Sequence, residues 1–187
     1  MKILYLALGR DLTQPDAGST HTINIIKALV NMGVRVTLAA AGTDAEVPGV
    51  STIEVDLPRK KTMRPPADVI DLFTLKAGDV DLIQERAEES GGVGIKLAEA
   101  LGRHLVLEVN TPLSGHPSPI IRKLADWNLR RQAKQSSGII TQTPISRNII
   151  ESYTKTPVYV IPNGADPNVF TPEVKGDSAG IPPRRRV

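Results

Sequence analysis

The stretch Lys2-Ile3-Leu4-Tyr5-Leu6-Ala7-Leu8, then a polar run to Gly18, an amphipathic run to Val30 and the apolar run Val34 to Ala41, decides the fold. The first run is short and apolar throughout, as in a strand buried on both faces of a sheet. In the middle segment Thr22, Ile25, Ile26, Leu29 and Val30 recur at the spacing of one helical face. Ser19 or Thr20 is placed to cap that helix, and Gly33 to close it in a left-handed conformation. Strand, helix and strand in that order require a crossover, so the two strands should be parallel.

Outward from this unit the alternation repeats. Further strands are expected at residues 51–55, 81–84, 104–109, 138–141 and 158–161, with helices at 67–76, 92–101, 118–135 and 144–153. Ser118-Pro119 is a good cap and first turn for the longest helix, whose buried face is expected to be Ile121, Leu124, Ala125 and Leu129. Pro58 to Pro66 reads as a basic loop. The sum is an α/β domain with a doubly wound, mostly parallel, Rossmann-like sheet. From Glu173 to Val187 periodicity stops, and Gly176, Gly180, Pro182-Pro183 and Arg184-Arg185-Arg186 give the composition of a linker or tail.

Composition narrows the function classes. The chain has 187 residues, enough for one well-buried domain, and 40% are hydrophobic, which excludes bulk disorder. Aromatic residues make up only 3%, which argues against a stacking platform for single-stranded nucleic acid. There is no cysteine, which removes disulfides, thiolate nucleophiles and zinc-thiolate sites together and suits a reducing compartment. The opening apolar run is too short for a signal peptide core, so a cytoplasmic location is expected. The net charge of +3 is only mildly basic. The helix at 118–135 nevertheless carries Arg122, Lys123, Arg130, Arg131 and Lys134 against Asp126, with Trp127 among them. That face is either an ordinary solvated one or a surface that lies on the cytoplasmic side of an anionic membrane.

In an open α/β sheet, ligands bind beyond the carboxyl ends of the strands. The first such loop ends Asp16-Ala17-Gly18-Ser19 at a helix start, where Gly18 admits close approach and the free N–H groups favour an anion. It is neither G-x-G-x-x-G nor a Walker loop, so it carries no dinucleotide or ATP fingerprint. Gln84-Glu85-Arg86 leaves another strand end. An adjacent acid and base there can orient a sugar hydroxyl or pair with phosphate, or form a structural ion pair. Glu108 and Asn110 end the fifth strand, where polar groups next to a core need partners, and Asn110 can both donate and accept. His116 lies in the following loop, as a surface residue or as a participant in the site.

Val160-Ile161-Pro162-Asn163-Gly164-Ala165-Asp166, with Phe170 and Pro172, completes the pattern. It resembles the V-I-P-N-G-V-D-x-x-x-F-x-P segment of retaining GT-B glycosyltransferases of family 4, the group 1 transferases. Ile83-Gln84-Glu85-Arg86 with Gly94 and Leu97-Ala98, Leu105 to Leu113, Ile139 to Ser146, and Gly33 to Leu38 are similar to family segments in the same order. Asn110 stands where many members have a histidine, so no imidazole role is carried to that position.

The resemblance implies that residues 1–172 are the N-terminal, acceptor-side half of a GT-B fold. Residues 173–187 would then be the interdomain linker and the start of a donor-binding domain. It implies a metal-independent enzyme that uses a nucleotide diphosphate-sugar and retains the anomeric configuration. Arg86, Asn110 and His116 are expected on the acceptor wall, and Gly18 and Ser19 at the donor phosphate. Asn163, Gly164, Asp166 and Phe170 are expected at the hinge. Expected partners are the donor and a sugar, lipid or small-molecule acceptor, with no nucleic acid. A lone half-molecule would be inactive and would expose apolar surface prone to self-association. The competing class is a non-catalytic α/β module that binds a sugar or phosphorylated ligand.

Overall fold

Ten residues, Lys2–Asp11, form the central strand β1 of the computed structural model, and Ile3 to Leu8 within it are buried. The structure describes residues 1–14, 16–42, 47–55, 67–88, 91–112, 115 and 117–164. Around β1 lie β2 (Arg35–Gly42), β3 (Val50–Glu54), β4 (Leu82–Arg86), β5 (His104–Val109), β6 (Gly138–Thr141) and β7 (Val158–Val160). The helices are α1 (Ala17–Asn31), α2 (Ala67–Ala77), α3 (Val93–Leu101), α4 (Pro119–Gln135) and α5 (Pro144–Glu151).

The strands run in the order β3-β2-β1-β4-β5-β6-β7 as one seven-stranded sheet, and every pairing is parallel. Pleating sorts the side chains of β1. Tyr5 and Ala7 face α1, where Ile26 joins Val36, Leu38 and Ala40 in one core. Leu4, Leu6 and Leu8 face the opposite side, packing with Phe73 of α2 and Ile95 and Leu97 of α3. A third cluster on that side joins Leu107 and Val109 to Leu129 of α4 and Ile150 of α5. Leu6 and Leu107, one strand either side of Glu85 in register, fix the face to which that acid points.

The expected fold class and all seven strands are present, with boundary changes that have physical causes. β1 runs three residues past Leu8 to Asp11, with a register shift between Ala7 and Asp11. The cap of α1 is Asp16, not Ser19 or Thr20, and its Oδ1 accepts from the Ser19 N–H at 2.7 Å. An ionised carboxylate ahead of the first turn also complements the helix dipole, which a hydroxyl inside the turn does not. Gly33 and Gly102 take the left-handed conformation at the ends of α1 and α3 (φ 80° and 60°). The buried face of α4 is Ala125, Asn128, Leu129, Gln132 and Ala133, whereas Ile121 and Leu124, expected inside, are exposed. The apolar run supplies two candidate faces on this helix, and the sheet takes the one with smaller side chains. The loop at 58–66 and the segment 173–187 lie outside the described residues, as does the boundary at residue 172.

Candidate functional site at the strand-order switch

The chain turns from β1 leftward to β2, and from β4 rightward to β5, so the order reverses between β1 and β4. Loops at the carboxyl ends of those two strands diverge to opposite sides and leave a crevice between them. A cluster of charged side chains fills its floor.

At its centre is Glu108, fully buried at the end of β5. Its Oε2 accepts from the Tyr5 hydroxyl at 2.6 Å and from Gln84 Nε2 at 3.1 Å. Its Oε1 lies 2.9 Å from His21 Nε2, accepts from Asn110 Nδ2 at 3.1 Å and is 3.8 Å from Arg86 Nη1. Burial alone would raise the Glu108 carboxyl. The hydrogen bonds from His21 and Tyr5 and the charges of His21 and Arg86 outweigh it, and the carboxyl is held below its ordinary range. The same contact acts oppositely on Tyr5, whose phenol is pushed well above its usual value by burial and then by the Glu108 charge.

From Glu108 the charges alternate toward solvent. Arg86 Nη1 donates to Thr22 Oγ1 at 3.2 Å and to the Gly18 carbonyl at 3.4 Å, tying β4 to the start of α1. Its Nε is 3.6 Å from Glu88 Oε1, which also accepts from Arg10 Nε at 3.0 Å. Arg10 Nη1 reaches Asp16 Oδ2 at 3.3 Å. Two glycines make room for this ladder. A Cβ on Gly9 would stand 2.9 Å from Glu88 Cγ, and one on Gly18 would collide with Arg10 Nη1. The absent side chain at Gly18 thus admits a guanidinium beside the N-terminus of α1.

Behind β4, on the opposite face, Glu85 is also buried. Its carboxylate accepts from the backbone N–H of Gly92 at 2.8 Å and of Gly94 at 3.1 Å, at the start of α3. Burial dominates there and lifts its carboxyl to about 7, against the lowering effect of those N–H bonds. Asn128 of α4 donates to the Gly91 carbonyl at 2.8 Å. Together these contacts anchor the far end of the loop that carries Glu88.

Of the residues named from the sequence, Arg86, Asn110 and Gly18 come together in the crevice. Ser19 is next to them but buried, with its N–H on Asp16 and its hydroxyl 3.4 Å from the Asp11 carbonyl. Asn110 Nδ2 must face the carboxylate, which can only accept, and that orients the amide. Its Oδ1 is then buried without a hydrogen-bond partner among the described residues. Asn163 and Gly164 follow β7, while His116, Asp166 and Phe170 lie outside the described residues. Arg10, His21, Glu88 and Tyr5 were not singled out. The strand-end rule does select the loop holding Arg10, and His21 lies one helical turn past Gly18. The Tyr5–Glu108 contact spans 103 residues and leaves no local signal. Among the described residues no three His, Asp or Glu side chains converge as a metal site.

Residues 18–169 match the family profile of Glycosyltransferase Family 4. The chain belongs to glycosyltransferase family 4. Solved structures agree on the fold. Sucrose-phosphate synthase from Thermosynechococcus elongatus superposes with a TM-score of 0.74 at 16% identity, covering 91% of this chain and 50% of that one. HepE from Anabaena, in complex with UDP-glucose, gives a TM-score of 0.66 at 21% identity over 90% of this chain and 45% of that one. UGT2 from Phytolacca americana, complexed with UDP-2-fluoroglucose and pterostilbene, gives 0.59 at 13%, covering 87% and 54%. This family 4 chain is therefore the Rossmann-like half of a GT-B fold and spans about half the length of these solved relatives. No curated protein matches it in sequence. Among the described residues of this glycosyltransferase domain, no helix is long and apolar enough to cross a membrane.

Proposed function

We propose that this domain is the acceptor side of a transferase that moves a sugar from a nucleotide diphosphate-sugar to a hydroxyl acceptor with retention. The observation that carries the reading is the Glu108–Arg86–Glu88–Arg10 ladder at the strand-order switch, with Gly18 and the N-terminus of α1 at its rim. That HepE and UGT2 were solved with uridine diphosphate-sugar ligands supports a donor of this class.

In the proposed step the bond from the anomeric carbon to the diphosphate oxygen breaks and the acceptor oxygen bonds to that carbon. The nucleoside diphosphate leaves with the acceptor's proton. Charge develops on the leaving diphosphate, so donors already aimed at it contribute most. Arg10, partly exposed and paired with Glu88 and Asp16, meets the diphosphate by exchanging a carboxylate for a phosphate oxygen. Gly18 and Ser19 supply the helix terminus behind it, once Asp16 yields the Ser19 N–H. On the acceptor wall Asn110 Oδ1 takes a sugar or alcohol hydroxyl as donor. His21, oriented through one ring nitrogen by Glu108, offers the other to a second hydroxyl of the acceptor. Arg86 holds the wall and is itself spanned by Glu108, Thr22 and Gly18. Asn163 and Gly164, which follow β7, are assigned to the hinge together with Asp166 and Phe170. Metal independence is carried over from the family resemblance, and Arg10 is the positive charge this domain offers the diphosphate.

The 187-residue chain alone should not turn over a nucleotide-sugar, since closure of two domains is what excludes water and aligns donor and acceptor. Titrating the isotope-labelled chain with UDP and UDP-glucose tests the site by backbone NMR. Shifts centred on residues 9–22 and 86–88, and lost in Arg10→Ala, are expected. Shifts confined elsewhere, or sugar transfer by this chain alone, would refute the reading.

A further inference from the structure

Ala125, Asn128, Leu129, Gln132 and Ala133 turn α4 toward the sheet. Residues four and seven apart share a helical face, so Ile120, Leu124 and Trp127 form one stripe, with Ile121 at its edge. That stripe points away from the protein. Ile120 is 80% exposed, Leu124 50% and Trp127 54%. With Ile121 they are four of the ten large hydrophobic side chains exposed among the described residues, gathered on one helix. Single exposed hydrophobics need no explanation, whereas a clustered stripe does.

Charge says what kind of surface covers it. Lys123, Arg130 and Lys134 line one flank at spacings of seven and four. Arg131, four residues after Trp127, turns its guanidinium back to the protein, where Nε and Nη2 donate to Asn128 Oδ1 at 3.2 and 3.0 Å, and lies 5.9 Å from the indole ring. Arg130 sits over the Tyr153 ring at 4.8 Å and remains on the exposed side. With Arg122, the 17-residue helix carries five basic residues and one acid, Asp126. A second copy of the chain meeting this face across a twofold axis would oppose like charges. An anionic bilayer satisfies both halves of the pattern. Its headgroups take the basic side chains, its acyl boundary takes the aliphatic ones, and an indole suits the level between.

We propose that α4 lies on an anionic lipid bilayer, with Ile120, Leu124 and Trp127 entering the headgroup–acyl boundary and Lys123, Arg130 and Lys134 on the headgroups. The N-terminus of α4 follows β5, so its apolar turns lie toward the sheet edge where the crevice opens. The inference does not depend on the transfer chemistry.

Trp127 is the only tryptophan in the chain, so its fluorescence reads this face alone. Adding phosphatidylglycerol–phosphatidylcholine vesicles should shift its emission to the blue and expose it to brominated-lipid quenching. Pure phosphatidylcholine should bind at least about tenfold more weakly. Leu124→Ser or Ile120→Ser should lower partitioning about tenfold, and Lys123→Gln with Lys134→Gln about fivefold per charge removed. All four side chains are exposed, and an unchanged thermal midpoint verifies that the variants fold. Emission unmoved by anionic vesicles, or equal binding by Leu124→Ser, overturns the proposal. So does a blue shift that follows protein concentration, with dimer formation in sedimentation and no vesicle flotation, which assigns the face to a second copy.

Discussion

Glu85 and Glu108 are both buried carboxylates at the carboxyl edge of neighbouring strands, yet the protein treats them in opposite ways. Glu85 points into the face covered by α3 and is satisfied by main-chain N–H groups of Gly92 and Gly94. Glu108 points into the crevice face and is satisfied by the side chains of Tyr5, Gln84, His21 and Asn110. Burial wins at the first, whose carboxyl rises to about 7, and partners win at the second, whose carboxyl falls. Fixed backbone dipoles leave Glu85 close to the balance point of ionisation. A ring of donors with Arg86 behind it holds the Glu108 carboxyl toward its charged form. The lesson is that a carboxylate held by side chains can organise a site, whereas one held by backbone organises a loop.

The hardest way to break the comparison is Glu108→Ala. It takes the acceptor from the buried Tyr5 hydroxyl and Gln84 amide and leaves Arg86 with Glu88 as its remaining carboxylate among the described residues, and removing one partner of a buried pair commonly costs about 3–5 kcal/mol. Chemical denaturation should show a loss on that order, while Glu88→Ala, at the half-exposed end of the ladder, should lose well under half as much.

Next in size is a difference of sign. A Glu85 carboxyl raised from 4.5 to about 7 means the folded state holds a proton that the unfolded state has released between those values. Stability from this group is therefore present in acid and declines as pH rises through that window, by on the order of 3 kcal/mol. Glu108 works the other way. Its contribution is present above the ordinary carboxylate range and is lost as pH falls through its lowered value. Denaturation midpoints measured from acid to neutral pH should lose their neutral-side slope in Glu85→Gln and weaken on the acid side in Glu108→Gln. Asp11 and Asp16, also held low by hydrogen bonds, keep part of the acid slope in both variants. A neutral-side slope that survives Glu85→Gln would mean the asymmetry is misassigned.

The sequence discloses these two regions unequally, and for physical reasons. Parallel strands buried on both faces are written as continuous apolar runs, so β1, β2, β5 and β6 were legible from local composition, as were Gly33 and Gly102 at helix ends. The strand-end rule placed Arg86, Asn110 and Gly18 at one edge. What stayed hidden is partnership. Tyr5 reads as a core residue, and nothing local says that its hydroxyl meets an acid more than a hundred positions away. Helix α4 failed for a related reason. Ile121 and Leu124 fit a helical face as well as Leu129 does, and only the position of the sheet decides which face is covered. Periodicity gives the elements, but it does not choose between two apolar faces or join charges across strands.

The smallest test separates the ring from the core. Tyr5 packs between Leu38 and Gln84 in register and is fully buried, so Tyr5→Phe keeps the aromatic packing and removes one oxygen. That oxygen donates to Glu108 at 2.6 Å, and a hydrogen bond to a charged group contributes about 1.5–3 kcal/mol. A loss near the lower end is expected, because Gln84 still donates to the same Oε2 at 3.1 Å. The acid limb of the stability profile should also move to higher pH, since one of the bonds holding the Glu108 carboxyl down is gone. A core-only role for Tyr5 predicts the opposite pair of results, no stability loss and an acid limb unmoved. The limb shift is therefore the sharper readout, because packing changes do not produce it.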